Sequence, residues 1–479
     1  MSEQRKILFA APEALPFAAT GGLGDVIGSL PAVLAADENN DVRVMLPYYA
    51  DIAEKYRMNI KLLTEFDVYL AWRKQHCRVY QLTYEGVIFY FLENDYYFNR
   101  PGLYGYYDDG ERFAFFSKAV LAAAKEIDFV PDVIHAHDWQ AALVPIFYDA
   151  FYASAPGWGN VKTMLTIHNI EYQGKFNRSV LDDLFGLSSE WLPVLEFNGL
   201  INLIKGAICV ADKVGTVSYS YSRELHYAHF AHGLENIIAE NSHKMIGVLN
   251  GIDQDMYNPK LDPALFINYT SRSLGKKAEN KARLQQLVNL PESPDTPVVA
   301  IISRMVPSKG FDLMMGVMEE LMAEKVQFVV LGCGDKKFED FFRWTSYKYP
   351  AKLAALITYD RDLSRKIYAG ADMLLMPSMV EPCGLAQMIA SRYGTVPIVR
   401  ATGGLSDSIL DYEHKGGNGF VFENYNAHEM LAAIRRALAL YGDKEAWTKL
   451  SARVMRKDFS WNKSADDYLA IYDELLKRG

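Results

Sequence analysis

Residues 298–332 read VVAIISRMVPSKGFDLMMGVMEELMAEKVQFVVLG. Two continuous apolar runs, 298–303 and 326–332, flank a segment with helical spacing at 310–323. Unbroken Val/Ile/Leu runs mark strands covered on both faces, and a helix between two of them makes a parallel βαβ unit. The pattern continues downstream. Helices are expected at 336–347, near 363–369, near 385–393 and near 427–441, with strands at 353–359, 373–377 and 395–400. This half of the chain is a doubly wound parallel α/β domain.

Upstream the theme repeats. Apolar runs at 6–11, 42–47, 133–136, 164–168, 213–217 and 246–249 read as parallel strands. Residues 58–95 alternate Tyr, Val and Thr with polar residues, which predicts β-hairpins inserted in the sheet. Residues 96–116 read as a loop running into a helix. Two α/β domains are therefore expected, with a hinge near residues 250–260. Ligands of such folds sit at the carboxyl ends of the strands.

Composition sets the outer limits. The chain has 479 residues, more than a single core of ~250–300 residues accommodates. Half the residues are hydrophobic, 23% are charged, and the net charge is -9, the profile of a folded protein whose main partner is neither nucleic acid nor an anionic membrane. The four cysteines, Cys77, Cys209, Cys333 and Cys383, form no C-x-x-C pair, and sparse cysteine fits a reducing cytoplasm. Apolar residues 7–11 are interrupted by Pro12, Glu13 and Pro16 and read as a buried strand, not a signal peptide. No apolar run reaches the ~18 residues of a membrane span.

Chemistry-bearing residues cluster at predicted strand ends. Thr20-Gly21-Gly22-Leu23-Gly24-Asp25 follows the first strand and precedes an apolar helix, an arrangement that aims backbone N–H groups at a phosphate. It matches neither the dinucleotide fingerprint nor a Walker loop. His135-Ala136-His137-Asp138 and Thr166-Ile167-His168-Asn169 end two further strands. Two His and an Asp allow a metal reading, but no further ligand cluster completes the shell. In the second half Arg304 ends a strand and Lys309 precedes a helix, two cations suited to a diphosphate. Glu381-Pro382-Cys383-Gly384-Leu385 and Thr402-Gly403-Gly404-Leu405 follow two later strands, and the second echoes residues 20–23.

Taken together these motifs resemble the bacterial glycogen synthase and plant starch synthase family. The resemblance runs nearly end to end. It is carried by TGGLGDV (20–26), HAHDWQ (135–140), TIHNIEYQG (166–174), EFNG (196–199), LNGID (249–253), SRMVPSKGFDL (303–313), EPCGLAQ (381–387), YGTVPIVRATGGLSD (393–407) and DFSW (458–461). It implies the GT-B architecture, two facing Rossmann-like domains with an interdomain cleft. Residues 1–250 would form the acceptor domain, completed by a C-terminal helix at 461–479, and residues 251–460 the nucleotide-sugar domain. The implied activity is retaining transfer of glucose from ADP-glucose to the non-reducing 4-hydroxyl of an α-1,4-glucan such as glycogen, with no metal or cofactor.

The resemblance also implies roles. Asp138 and His168 line the glucosyl pocket, and Gly21 and Gly22 offer backbone N–H groups to the donor. Arg304 and Lys309 hold the diphosphate. Glu381 binds glucose hydroxyls, with Gly384, Leu385 and Thr402 contributing contacts to sugar or phosphate. Tyr359 stacks on adenine, and Asn250 adds a polar contact near the hinge. Two positions depart from the pattern. Ala19 stands where the family has the Lys of Lys-x-Gly-Gly-Leu, and Ala386 stands where relatives carry Thr or Ser. Both lie at the donor end, which leaves two alternatives open: the same family with UDP-glucose as donor, or a catalytically impaired glucan-binding paralogue. Ile389, where sucrose-type synthases carry a second Glu, counts against that alternative.

Overall fold

A computed structural model describes residues 4–477. The chain divides into two compact units, Met1–Gly251 with Trp461–Gly479, and Ile252–Ser460.

The first unit is built on a nine-stranded sheet. Its strands are β1 (Arg5–Ala10), β2 (Asn40–Pro47), β3 (Lys61–Leu70), β4 (Arg73–Tyr84), β5 (Val87–Glu93), β6 (Val133–His137) and β7 (Lys162–Ile167). Three short strands, β8 (Lys175–Phe176), β9 (Glu196–Phe197) and β10 (Leu200–Asn202), form a separate small sheet. The large sheet is completed by β11 (Lys213–Thr216) and β12 (Met245–Gly247), in the order β12-β11-β7-β6-β1-β2-β5-β4-β3. Pairing is parallel from β12 to β5, and β3, β4 and β5 join antiparallel, the hairpin insertion expected from their alternating sequence. Ile7, Leu8, Phe9 and Ala10 of β1 are wholly buried, as a strand covered on both faces requires. The helix Trp461–Lys477 belongs to this unit. Its buried Trp461, Ala465, Tyr468, Tyr472 and Leu475 fall at helical spacing, one apolar stripe along the helix.

The second unit has β13 (Val298–Ile302), β14 (Gln327–Leu331), β15 (Leu353–Leu356), β16 (Met373–Met376), β17 (Val396–Arg400) and β18 (Phe420–Phe422). They form one parallel sheet in the order β15-β14-β13-β16-β17-β18, the Rossmann order. Its core is Val299, Ile301, Phe328, Val330, Met373 and Ile398 packed on helix side chains such as Leu321, Phe342 and Ile434. The helix expected at 310–323 is two, Phe311–Gly316 and Met318–Ala323. Val317 breaks it at φ -127°: a glycine followed by a β-branched residue is a weak helical pair. The strand expected at 353–359 ends at Leu356. Among the described residues, no helix is long and apolar enough to cross a membrane.

Each sheet has one place where strand order reverses. In the first unit it lies between β1 and β6, in the second between β13 and β16. The loops after those strands carry most of the residues singled out above.

Candidate active site

In the second unit the loop after β13 and the loop after β16 meet. Lys309 ends a short 3₁₀ turn, Pro307–Lys309, and its ammonium donates to both oxygens of Glu381, at 2.8 and 2.7 Å. Ser378 Oγ donates to the same carboxylate at 2.9 Å. Glu381 is only 5% exposed, so it is a buried anion with a cation and a hydroxyl in place. Arg400, from the end of β17, donates from Nε to Ser378 O at 2.8 Å and braces the turn. Two glycines make the approach possible. A Cβ on Gly310 (φ +74°) would stand 2.0 Å from Pro377 O, and one on Gly403 (φ +44°) 2.0 Å from Glu381 O. Gly404 N–H donates to Glu381 O at 3.1 Å, tying the second TGGL segment to the carboxylate's own backbone.

Around this cluster, Arg304 is exposed, and its guanidinium makes no ion pair among the described residues. Gly384 (φ +70°) and Leu385 lead into the helix Ala386–Arg392, with Gly384 O accepting from Gln387 Nε2 at 2.8 Å. Thr402 is fully buried at the start of the helix Gly403–Ser408. Tyr359 lies in the loop beyond β15, not at a strand end, and is 78% exposed.

In the first unit the same topology assembles a different set. Asp138 follows β6 directly in a left-handed backbone conformation, φ +56°, rare for a non-glycine residue. Its carboxylate accepts the His168 backbone N–H at 2.7 Å. Burial pushes its pKa up to about 7, against the pull of the His168 and Asn169 backbone donors, with the nearby Glu13 adding to the rise. His168 Nε2 lies 3.0 Å from His137 Nδ1. Burial takes His168 and His135 down to about 3 and His137 well below its ordinary value, so all three rings are neutral at pH 7. His135 shares hydrogen bonds with Tyr472 OH and Thr166 Oγ1, each at 2.7 Å. Its nitrogens are thus both occupied, and among the described residues no three His, Cys, Asp or Glu side chains are grouped to hold a metal ion.

Gly22 opens the helix Gly22–Ala35, with Gly21 as its cap. The N–H groups of the loop are partly claimed from within. Buried Glu13 accepts from Thr20 N–H at 2.6 Å, Thr20 Oγ1 at 2.7 Å and Gly21 N–H at 3.4 Å, and from Tyr104 OH at 2.6 Å. Gly21 therefore faces an internal carboxylate, a difference from the expected open phosphate cradle. Asn250 is buried, and its side-chain oxygen has no partner among the described residues. Ala19 is exposed. Sequence reasoning missed Glu13, Tyr104, Ser378 and Arg400. Glu13 stood in plain view as a carboxylate in an apolar stretch, and that oddity was its only signal.

Comparison with known proteins decides the family. Residues 6–240 match the starch synthase catalytic domain, and residues 284–453 match glycosyl transferases group 1. The chain belongs to the starch and glycogen synthase family. It is 46% identical over 477 residues to the glycogen synthase of Geobacillus thermodenitrificans (strain NG80-2), covering 99% of this chain and 98% of that one. Identity to the glycogen synthase of Caldicellulosiruptor saccharolyticus (strain ATCC 43494 / DSM 8903 / Tp8T 6331) is 45%, covering 98% and 100%. Among solved structures, the catalytic domain of starch synthase IV from Arabidopsis thaliana, bound to ADP and acarbose, superposes with TM-score 0.92 at 34% identity, covering 99% of this chain and all of that one. A sucrose-phosphate synthase from Thermosynechococcus elongatus shares the fold at TM-score 0.63 and 16% identity. This family member is thus a GT-B glycosyltransferase with two Rossmann-like units.

Proposed function

We propose that the protein is a glycogen synthase, transferring glucose with retention from ADP-glucose to the non-reducing 4-hydroxyl of an α-1,4-glucan. The observation that carries the reading is the Lys309–Glu381–Ser378 cluster at the switch point of the nucleotide-binding unit, with Arg304 exposed beside β13. The names of the relatives, and the ADP and acarbose held by the starch synthase, support the donor and acceptor classes.

The chemistry follows from charge. As the bond from the anomeric carbon to the diphosphate oxygen breaks, its electron pair goes to the leaving ADP. Arg304 and Lys309 stabilise that charge, the task a metal performs elsewhere, and no cofactor is invoked. Glu381 holds sugar hydroxyls with the lone pairs that Lys309 and Ser378 leave open. Gly384, Leu385 and Thr402 belong to the turns that shape this end, and Tyr359 offers an exposed ring face to the base. In the other unit, neutral His168 serves as a hydrogen-bonding group to the sugar, not a cation, and the Asp138 carboxyl group holds the His168 backbone N–H. Gly22 and Asn250 add polar contacts. The acceptor 4-hydroxyl attacks from the face the diphosphate leaves, and its proton passes to the departing diphosphate oxygen. No glucosyl-enzyme is required.

The test is nucleotide release with glycogen as acceptor, in wild type and in Lys309→Ala. ADP release with glucan growth, cut about 10²–10³-fold in the variant, agrees with the proposal. Release that Lys309→Ala leaves intact contradicts it.

A further inference from the structure

Two histidines of the first unit meet, and only one of them has a part in the mechanism above. His137 is the last residue of β6, and His168 follows β7, the neighbouring parallel strand. His137 Nδ1 lies 3.0 Å from His168 Nε2. His137 is wholly buried, and its Nε2 has no hydrogen-bond partner among the described residues. His168 is half-buried, and its Nδ1 also lacks a partner among them, but that nitrogen is not enclosed.

Packing does not explain a histidine at 137. Its ring is stacked on wholly buried Phe9, with centroids 5.5 Å apart and planes 13° apart. His135 covers it as well, with centroids 4.2 Å apart. The His135 nitrogens are taken by Tyr472 and Thr166, so His135 gives His137 a ring face and no hydrogen bond. An apolar ring would fill this space without leaving over a buried nitrogen, a fault that costs about 1–3 kcal/mol. What the histidine adds beyond shape is its one bond, to His168.

That bond decides where protons sit. Burial holds both rings far below the ordinary histidine pKa, so each carries one N–H and one lone pair. One proton therefore lies between His137 Nδ1 and His168 Nε2. Two would repel, and none would set lone pair against lone pair. If His168 were the donor, His137 would carry its own proton on the enclosed Nε2, a buried N–H with no acceptor. If His137 is the donor, the enclosed nitrogen keeps only a lone pair. An orphaned buried N–H is the rarer fault in folded proteins. The second arrangement leaves the remaining proton of His168 on Nδ1, the open nitrogen.

We propose that His137 is a positioning residue: its Nδ1–H fixes His168 as the Nδ1–H tautomer and so makes that ring a hydrogen-bond donor to an oxygen of the transferred sugar. The sugar contact rests on the glucosyltransferase reading, and the tautomer does not. A neutral donor suits this place. It holds a sugar oxygen without setting a full positive charge against the anomeric carbon as that carbon turns cationic. His137 acts on the substrate only through His168.

Long-range proton–nitrogen NMR of the full chain, labelled on histidine, reads the tautomer with no substrate present. The His168 signals are assigned by their loss in His168→Gln. Wild type should show His168 protonated at Nδ1 and bare at Nε2. His137→Phe keeps the ring and removes the bond, and His168 should then become a mixture of tautomers. His137→Asn keeps an N–H donor at the place of Nδ1 and should restore the single tautomer. With ADP-glucose and glycogen, kcat/KM should fall about tenfold in His137→Phe and less in His137→Asn, the worth of one hydrogen bond. Stability to urea should run the other way, because Asn leaves a cavity beside Phe9 and Phe does not. A bare Nδ1 on His168 in wild type, unchanged His168 signals in His137→Phe, or activity that follows stability across the two variants would each overturn the proposal. A protein that releases no nucleotide fails the proposed function instead, and its nitrogen signals still decide the histidine pair.

Discussion

Thr-Gly-Gly-Leu occurs twice, at 20–23 and at 402–405, each time between a strand and a helix. The two copies are held in opposite ways. In the first, Gly21 has extended backbone and open space where a side chain would be, and the loop is pinned by one side chain, the Glu13 carboxylate. In the second, Gly403 is left-handed and pressed against Glu381 O, and the turn is locked by backbone. The same four residues thus make a loop adjustable by its neighbours in one unit and a rigid seat for a carboxylate in the other. Local sequence sets the turn, and its surroundings decide what the turn does.

The sharpest break is Gly403→Ala. A Cβ 2.0 Å from a carbonyl oxygen at positive φ should destabilise the chain by about 2–4 kcal/mol and take most activity with it. Gly21→Ala should stay within about 1 kcal/mol, since nothing lies within 4 Å of its Cβ position. Urea denaturation of both variants checks the contrast, and equal losses would erase the distinction. Next in size is Glu381→Gln. It keeps shape but removes the charge that Lys309 faces, and kcat should fall about 10²–10³-fold with the fold retained. Glu13→Gln should cost about 1–3 kcal/mol, because one amide cannot accept from Thr20 N–H, Thr20 Oγ1 and Tyr104 OH as a carboxylate does. Tyr104→Phe, which removes one of those donors, should cost less.

Much of the fold was legible because buried parallel strands advertise themselves as apolar runs. Ile7–Phe9 and Val298–Ile301 are such cases. The helix break at Val317 was not legible, since a glycine inside an apolar helical pattern is usually tolerated. Neither were the two- and three-residue strands β8 to β10, too short to show a period. Of the site, Lys309 and Glu381 were read separately as groups for phosphate and sugar. Their pairing spans 72 residues and exists only because β13 and β16 are neighbours. Glu13 was passed over because a lone carboxylate after a strand looks like an interruption. Its partner Tyr104 is 91 positions away.

Acid should affect the two units unequally. His135, His137 and His168 are neutral when folded but take up protons below about pH 6.5 when unfolded. The unfolded chain then binds more protons, so stability falls as pH drops. Asp138 works the other way, with a folded pKa raised to about 7: its share of stability is present at low pH and lost as pH rises toward 7. Three histidines outweigh one carboxyl. Stability should fall below about pH 6, on the order of 2–3 kcal/mol per pH unit, and the loss should map to the first unit by hydrogen exchange. Activity that needs ionised Asp138 should rise through about pH 7. A flat profile there would remove Asp138 from the proposed role. The smallest effect is Ala19→Lys. An exposed cation added beside the glycine loop should strengthen donor binding by a few-fold, about 0.5–1 kcal/mol, seen in KM more than in kcat.

The most direct measurement is nucleotide release with glycogen present, ADP-glucose and UDP-glucose offered side by side. The account predicts ADP release coupled to glucan growth, with Ala19 no obstacle, and its collapse in Glu381→Gln. No release from either donor, or release that Glu381→Gln leaves unchanged, would contradict it.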